Sequence, residues 1–263
     1  MPHPPTYRRR IRITTAPGKA RADIEDDPHR YGVALVHDGK KVTAIRGEGL
    51  RTPWTLCVDA AKLVDRLVGM PLTSDAAAIY KYTDGTLQCT HAFDVAGLAI
   101  AHAFRGTPLR QYDIDVPYPV LEPNARKTVT LLRDGKLALQ WTVEGGIIIS
   151  PEPFAGRNLA DVVRWARKAL TDPDDYEAVV VARRATHISG VKTQDLDQRV
   201  SAADGGQSMG RCWVFQPERA PVAWRIRGNT RDFTQSAEQM LTDLETIAPD
   251  GLGPMPAPED SNQ

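Results

Sequence analysis

Two Asp-Gly pairs, each flanked by strand-forming runs, constrain this chain more than any other feature. Residues 31–45 read YGVALV-HDGK-KVTAI and turn at Asp38-Gly39; residues 127–141 read KTVTLL-RDGK-LALQW and turn at Asp134-Gly135. A type I′ turn needs positive φ at both central positions, which glycine adopts freely and aspartate tolerates, so each stretch predicts an antiparallel hairpin. In the first hairpin that register pairs His37 with Lys40, Leu35 with Val42 and Val33 with Ala44, leaving His37 at the polar rim of an apolar face. A short third strand over 146–149 follows the second hairpin, stopped by Pro151 and Pro153.

A helical pattern follows each hairpin. Residues 59–69 carry Leu63, Val64, Leu67 and Val68 at helical spacing, and residues 158–170 carry Leu159, Val162, Val163, Trp165, Ala166 and Leu170 behind Asn158 as N-cap. Residues 89–105 (CTHAFDVAGLAIAHAFR) are apolar all round, which predicts a fully buried helix. Beyond them the pattern predicts helix over 174–185, a flexible loop over 201–210, strands over 211–227 broken by Pro217 and Pro221, and an amphipathic helix over 234–247. The run Tyr7-Arg8-Arg9-Arg10-Ile11-Arg12-Ile13 alternates like an edge strand protected by charge. The fold class is therefore α+β, antiparallel hairpins packed against helices. One domain covers 1–249, with 7–105 and 126–233 as candidate hairpin-plus-helix halves, and a flexible tail covers 250–263.

Composition bounds the function. With 33 Lys+Arg against 33 Asp+Glu the net charge is zero, which argues against nucleic acid as a partner. The longest charge-free apolar stretch, 95–104, is too short to span a membrane, and the start lacks the apolar core of a secretory leader. Three cysteines at distant positions suit a reducing cytoplasm. No Walker loop, Rossmann glycine fingerprint, HExxH or GxSxG element is present, so nucleotide-driven chemistry is not expected. Self-association into a homo-oligomer is left open.

The reactive side chains concentrate in Cys57, Cys89, His91, Asp94 and His102. Cys89 and His91 share a side of an extended approach to the helix. With Cys57 they could ligate zinc or iron, the alternative being that both thiols are core residues. His91 and His102 share a helix face but stand about 16 Å apart, too far to hold one ion. His91 reads equally as a general base oriented by Asp94, or as part of a capped first turn. Arg51 and Trp54 are candidate contacts for an aromatic or carboxylate-bearing ligand, and His37 is a further candidate base.

His37-Asp38, the segment Arg51-Thr52-Pro53-Trp54-Thr55-Leu56-Cys57, and Cys89-Thr90-His91 together resemble an uncharacterised bacterial family. Its signature is a His-Asp pair, Pro-x-x-x-Cys and Cys-Thr-His, and its members occur in aromatic-degrading proteobacteria. The resemblance covers about residues 7–105. It implies a lyase of aromatic catabolism without an organic cofactor, releasing formaldehyde from a lignin-derived aromatic alcohol by acid–base catalysis. In that reading His91 or His37, with Asp94 and Asp38, supplies the base, and Arg51, Trp54 or Tyr82 binds the substrate. A zinc-dependent hydrolase or hydratase and a noncatalytic small-ligand-binding protein are the alternatives.

Overall fold

The computed structural model describes residues 4–122 and 124–257. Eight strands form one antiparallel sheet: β1 (Thr6–Ala16), β2 (Lys19–Asp26), β3 (Arg30–His37), β4 (Val42–Arg51), β5 (Leu109–Pro117), β6 (Lys127–Arg133), β7 (Lys136–Glu144) and β8 (Ile147–Ser150). Their order is β4-β3-β2-β1-β5-β6-β7-β8, and six helices accompany the sheet, which gives the α+β class expected from the hairpins.

Both Asp-Gly hairpins are present, in two geometries. Asp134 and Gly135 take φ of 52° and 77° and pair Arg133 with Lys136, a two-residue turn. At Asp38 the carboxylate accepts the N–H groups of Lys40 and Lys41, both at 2.8 Å, and this stabilises a longer loop. The strands therefore resume at His37 opposite Val42, with an irregularity that pairs Leu35 with Ile45 and Val33 with Gly47. This corrects the expected two-residue register.

The chain divides into two compact units of interleaved segments: unit I, up to residue 10 with 111–195 and 232–240, and unit II, 11–110 with 196–231 and 241 onward. In unit I, α4 (Val162–Ala169) packs on α5 (Pro173–Ile188), and α5 packs on β6 and β7. Asn158 closes a turn onto the N–H of Ala160, so α4 starts later than the apolar spacing suggested. Strand β1 lies inside the sheet, correcting its reading as an edge. Its Arg8 and Arg10 pair with Asp115 and Asp113 of β5, each at 2.6 Å, so charges that looked like edge protection are cross-strand ion pairs.

In unit II, α3 (Thr90–Arg105) packs on β2 and β3 and ends at Gly106 in the left-handed region. Short α1 (Cys57–Lys62) runs into a 3₁₀ turn, Leu63–Leu67, and packs on β4; α2 (Ile79–Tyr82) precedes α3. Residues 211–227 hold no strand, only the single bridges Trp54 to Arg225 and Ser201 to Trp224. Residues 202–208 form a 3₁₀ segment that Ser201 and Asp204 cap reciprocally, where a flexible loop was expected. The helix expected over 234–247 is broken into the 3₁₀ turn Ala237–Gln239 and α6 (Leu244–Ile247). Leu241 between them takes φ of 61° and gives its N–H to the Glu25 carboxylate at 2.7 Å, a bond that takes residue 241 out of helical conformation. The end of the expected tail, 258–263, lies outside the described residues. No helix among the described residues is long and apolar enough to cross a membrane.

Candidate metal centre

Strand β2 (KARADIED) alternates Ala20, Ala22 and Ile24 with Arg21, Asp23 and Glu25, a pattern that reads as half-exposed. From Ala20 to Asp26, however, every residue is buried. The charged face is neutralised in place. Arg21 grips Asp23 in a fork at 2.6 and 2.9 Å, Arg30 reaches Asp23 at 2.8 Å and Asp243 at 3.0 Å, and Glu25 takes Arg51 at 2.9 Å. Burial alone would lower the Arg30 pKa, but Asp23 and Asp243 outweigh it and hold the guanidinium firmly charged.

The turn after β2 is Asp26-Asp27-Pro28-His29. Asp26 and His29 close it by main-chain bonds in both directions, at 2.9 and 3.3 Å. The Asp26 carboxylate accepts the His29 N–H at 3.0 Å, and the same oxygen stands 2.8 Å from His29 Nδ1. Arg51, at the end of β4, fixes this turn from its carbonyl side. Its guanidinium donates to the carbonyls of Asp26 (2.8 Å) and Asp27, and to that of Asn229 (3.0 Å).

Packing of α3 on β2 and β3 brings His91, in the first turn of the helix, against this turn. The His91 and His29 rings stack at 3.6 Å between centroids, and Tyr31 lies 5.7 Å from His91 with the two rings 6° from parallel. Asp26, His29 and His91, all buried, each offer a ligand atom within 4.8 Å of the others, the one such group of His, Cys, Asp or Glu among the described residues. Two ligands bound at about 2.1 Å to one ion stand roughly 3 Å apart, close to the observed carboxylate–imidazole separation. Two imidazoles and a carboxylate suit zinc, iron, cobalt or manganese, and three protein ligands leave positions open for water or substrate.

Of the residues singled out in the sequence, His91 is part of this group. Cys57 and Cys89 are not; their thiols flank the Tyr31 hydroxyl. Burial pushes the Cys89 thiol up to about 11 and raises that of Cys57 well above its usual value, so both stay protonated at neutral pH. Burial, and then the two thiols, likewise push the Tyr31 phenol up. Asp94 accepts from the Tyr80 hydroxyl, a partner the sequence reading did not anticipate. His102, near the other end of α3, contacts Arg105 at 3.1 Å.

Each of the remaining candidates has structural contacts of its own. The Arg51 guanidinium donates to carbonyls of the 26–29 turn. Trp54 is buried edge-on against Phe215, and Tyr82 is exposed, donating to the Val68 carbonyl at 3.2 Å. His37 ends the strand that begins beside His29, seven residues or about 23 Å along it. There its Nδ1 accepts the Gly39 N–H, and partial burial lowers its pKa. Asp38 is the turn residue described above, held below its usual pKa by the N–H groups of Lys41 and Lys40.

Asp26 and His29 went unnoticed in the sequence. The available signal was the tetrad Asp-Asp-Pro-His between two strands, which looks like any solvated turn until its burial is known. Comparison with known proteins finds no family model and no curated protein that matches this chain.

Proposed function

We propose that the chain is a metal-dependent enzyme of small-molecule metabolism in which Asp26, His29 and His91 hold one divalent transition-metal ion. The observation that carries this reading is the convergence of three buried ligand atoms, from one turn and one helix, within 4.8 Å. Buried groups of this kind are costly to assemble unless they are bonded to one another or to an ion. An ion so held acts as a Lewis acid and lowers the pKa of a bound water or substrate hydroxyl, the chemistry of hydrolysis, hydration or metal-assisted lyase reactions. Arg51 acts as a positioning residue, holding the turn that presents Asp26 and His29. The setting is a reducing cytoplasm, consistent with three free cysteines.

Metal content after purification without chelator, followed by cobalt(II) titration, tests the ligand set. About one ion per chain is expected for wild type and for Cys57→Ser and Cys89→Ser, with loss of the ion in Asp26→Ala, His29→Ala and His91→Ala. Retention by His29→Ala together with loss from Cys89→Ser would overturn this assignment in favour of thiolate ligands.

A second reading rests on the 2.8 Å contact between Asp26 and His29 Nδ1. A carboxylate in that position orients an imidazole as a general base without any metal. It supports the lyase acting on an aromatic alcohol, with His29 in place of His37 as the partner of His91. Formaldehyde released from lignin-type aromatic alcohols by metal-stripped protein, and lost in His29→Ala, would select it. A noncatalytic binding protein would show neither turnover nor stoichiometric metal.

A further inference from the structure

All three cysteines of the chain, Cys57, Cys89 and Cys212, belong to unit II, and they come together from segments far apart in sequence. The thiols of Cys57, at the start of α1, and Cys89, the N-cap of α3, both hydrogen-bond the Tyr31 hydroxyl. Cys212 stands close enough to both that a thiolate there acts on the charge of each. Its segment is bound directly to that of Cys89. The Trp213 N–H donates to the Gln88 carbonyl at 3.0 Å, and the Gln216 amide donates to the carbonyls of Thr86 (2.9 Å) and Cys212 (3.2 Å). Exposure divides the three thiols: Cys57 and Cys89 are 7% and 6% exposed, whereas Cys212 is half-buried. A solute therefore meets Cys212 first. A lone buried cysteine packs as a small apolar residue. A partly exposed thiol with a neighbour able to displace its oxidised form is the arrangement of reversible oxidation.

We propose that Cys212 and Cys89 are a modification site for small hydroperoxides, Cys212 taking the oxidant and Cys89 resolving it into a disulfide. The site stands apart from the metal reading above. In the first step the Cys212 sulfur attacks the terminal peroxide oxygen. The O–O bond breaks, the hydroperoxide leaves as an alcohol with the thiol proton, and Cys212 becomes a sulfenic acid. In the second step the Cys89 sulfur attacks the Cys212 sulfur. The S–S bond forms, the S–O bond breaks, and the hydroxyl leaves as water with the Cys89 proton. Two electrons pass from two thiols to one peroxide, and an external dithiol returns them. The second step is intramolecular, which offsets the low nucleophilicity of a buried, protonated thiol. The main-chain tie between the 86–89 and 212–216 segments selects Cys89 rather than Cys57 as the resolving thiol.

The probe is tert-butyl hydroperoxide, added in slight excess to the reduced full chain with chelator present, so that no metal ion contributes. After removal of the excess, thiols are counted in denaturant and disulfides are mapped by peptide mass spectrometry. Wild type is expected to lose two of its three thiols and to yield a linked Cys89–Cys212 peptide pair, both reversed by dithiothreitol. Cys57→Ser is expected to form the same disulfide. Cys89→Ser is expected to stop at the sulfenic acid, read as a dimedone adduct on Cys212. Cys212→Ser is expected to keep its remaining thiols about tenfold longer, because both are buried. Three intact thiols in wild type, or a disulfide that joins any other pair, within or between chains, would overturn the assignment. These wild-type readings decide the question even where a variant fails to fold.

Discussion

Arg51 concentrates more of the site's architecture than any of the metal-ligand candidates. It neutralises Glu25, 3% exposed at the side chain, while holding carbonyls of the turn that carries Asp26 and His29. Without Arg51 the buried Glu25 keeps the Leu241 N–H and a longer contact to Arg231 at 3.5 Å, so losing this ion pair costs about 3 kcal/mol, the low end for a broken buried pair. Arg51→Met is expected to lose that much stability in urea unfolding and to weaken cobalt binding, although Arg51 touches no ion. At this scale the site was half legible. His91 stood out as a polar residue opening an apolar helix, whereas Asp26 and His29 were hidden by a turn composition that normally faces water. The His37 and Asp38 side chains accept the N–H groups that shape their hairpin loop.

Elements meet in unit II through missing side chains. A Cβ at Gly97, mid-way along α3, would stand 2.2 Å from the Ala76 carbonyl oxygen, and one at Gly47 on β4 would stand 2.0 Å from that of Ala61. In an exposed helix Gly→Ala gains about 1 kcal/mol. Here the backbone obstacle reverses the sign. Gly97→Ala is expected to destabilise by about 1–3 kcal/mol in equilibrium unfolding, and a stabilised variant would show that the helix is free to shift. Hairpins and the long apolar helix were legible because turn chemistry and periodicity are local signals. The interior position of β1 and the break in 234–247 were not, since each is set by partners far along the chain: Asp113 and Asp115 for Arg10 and Arg8, and Glu25 for Leu241.

Over the whole molecule, each unit is assembled from segments distant in sequence, so its stability depends on ties between them. In unit I one such tie joins Lys192 to Asp232 at 2.8 Å. Burial would raise the Asp232 pKa, but the Lys192 ammonium and the Thr234 hydrogen bonds bring it down to about 2. A carboxylate depressed in the folded state contributes stability above its unfolded pKa of about 3.9 and loses it as pH falls toward 2. Lys192→Met should therefore lower the melting temperature at pH 6 and flatten its decline between pH 4 and 2. An unchanged acid profile would show that this exposed tie carries no weight.

If Asp26, His29 and His91 hold an ion, its place against the first turn of α3, which carries His91, sets a clock for metal exchange. Such an ion would leave once the helix end lifts and withdraws His91, so chelator would wait on the protein. Metal loss should become independent of chelator concentration once chelator is in excess. Its limiting rate should match deuterium uptake by the amides of Phe93 and Asp94, whose exchange reports the same opening. A rate that keeps climbing with chelator would mean that the ion is reached from solvent without any such motion.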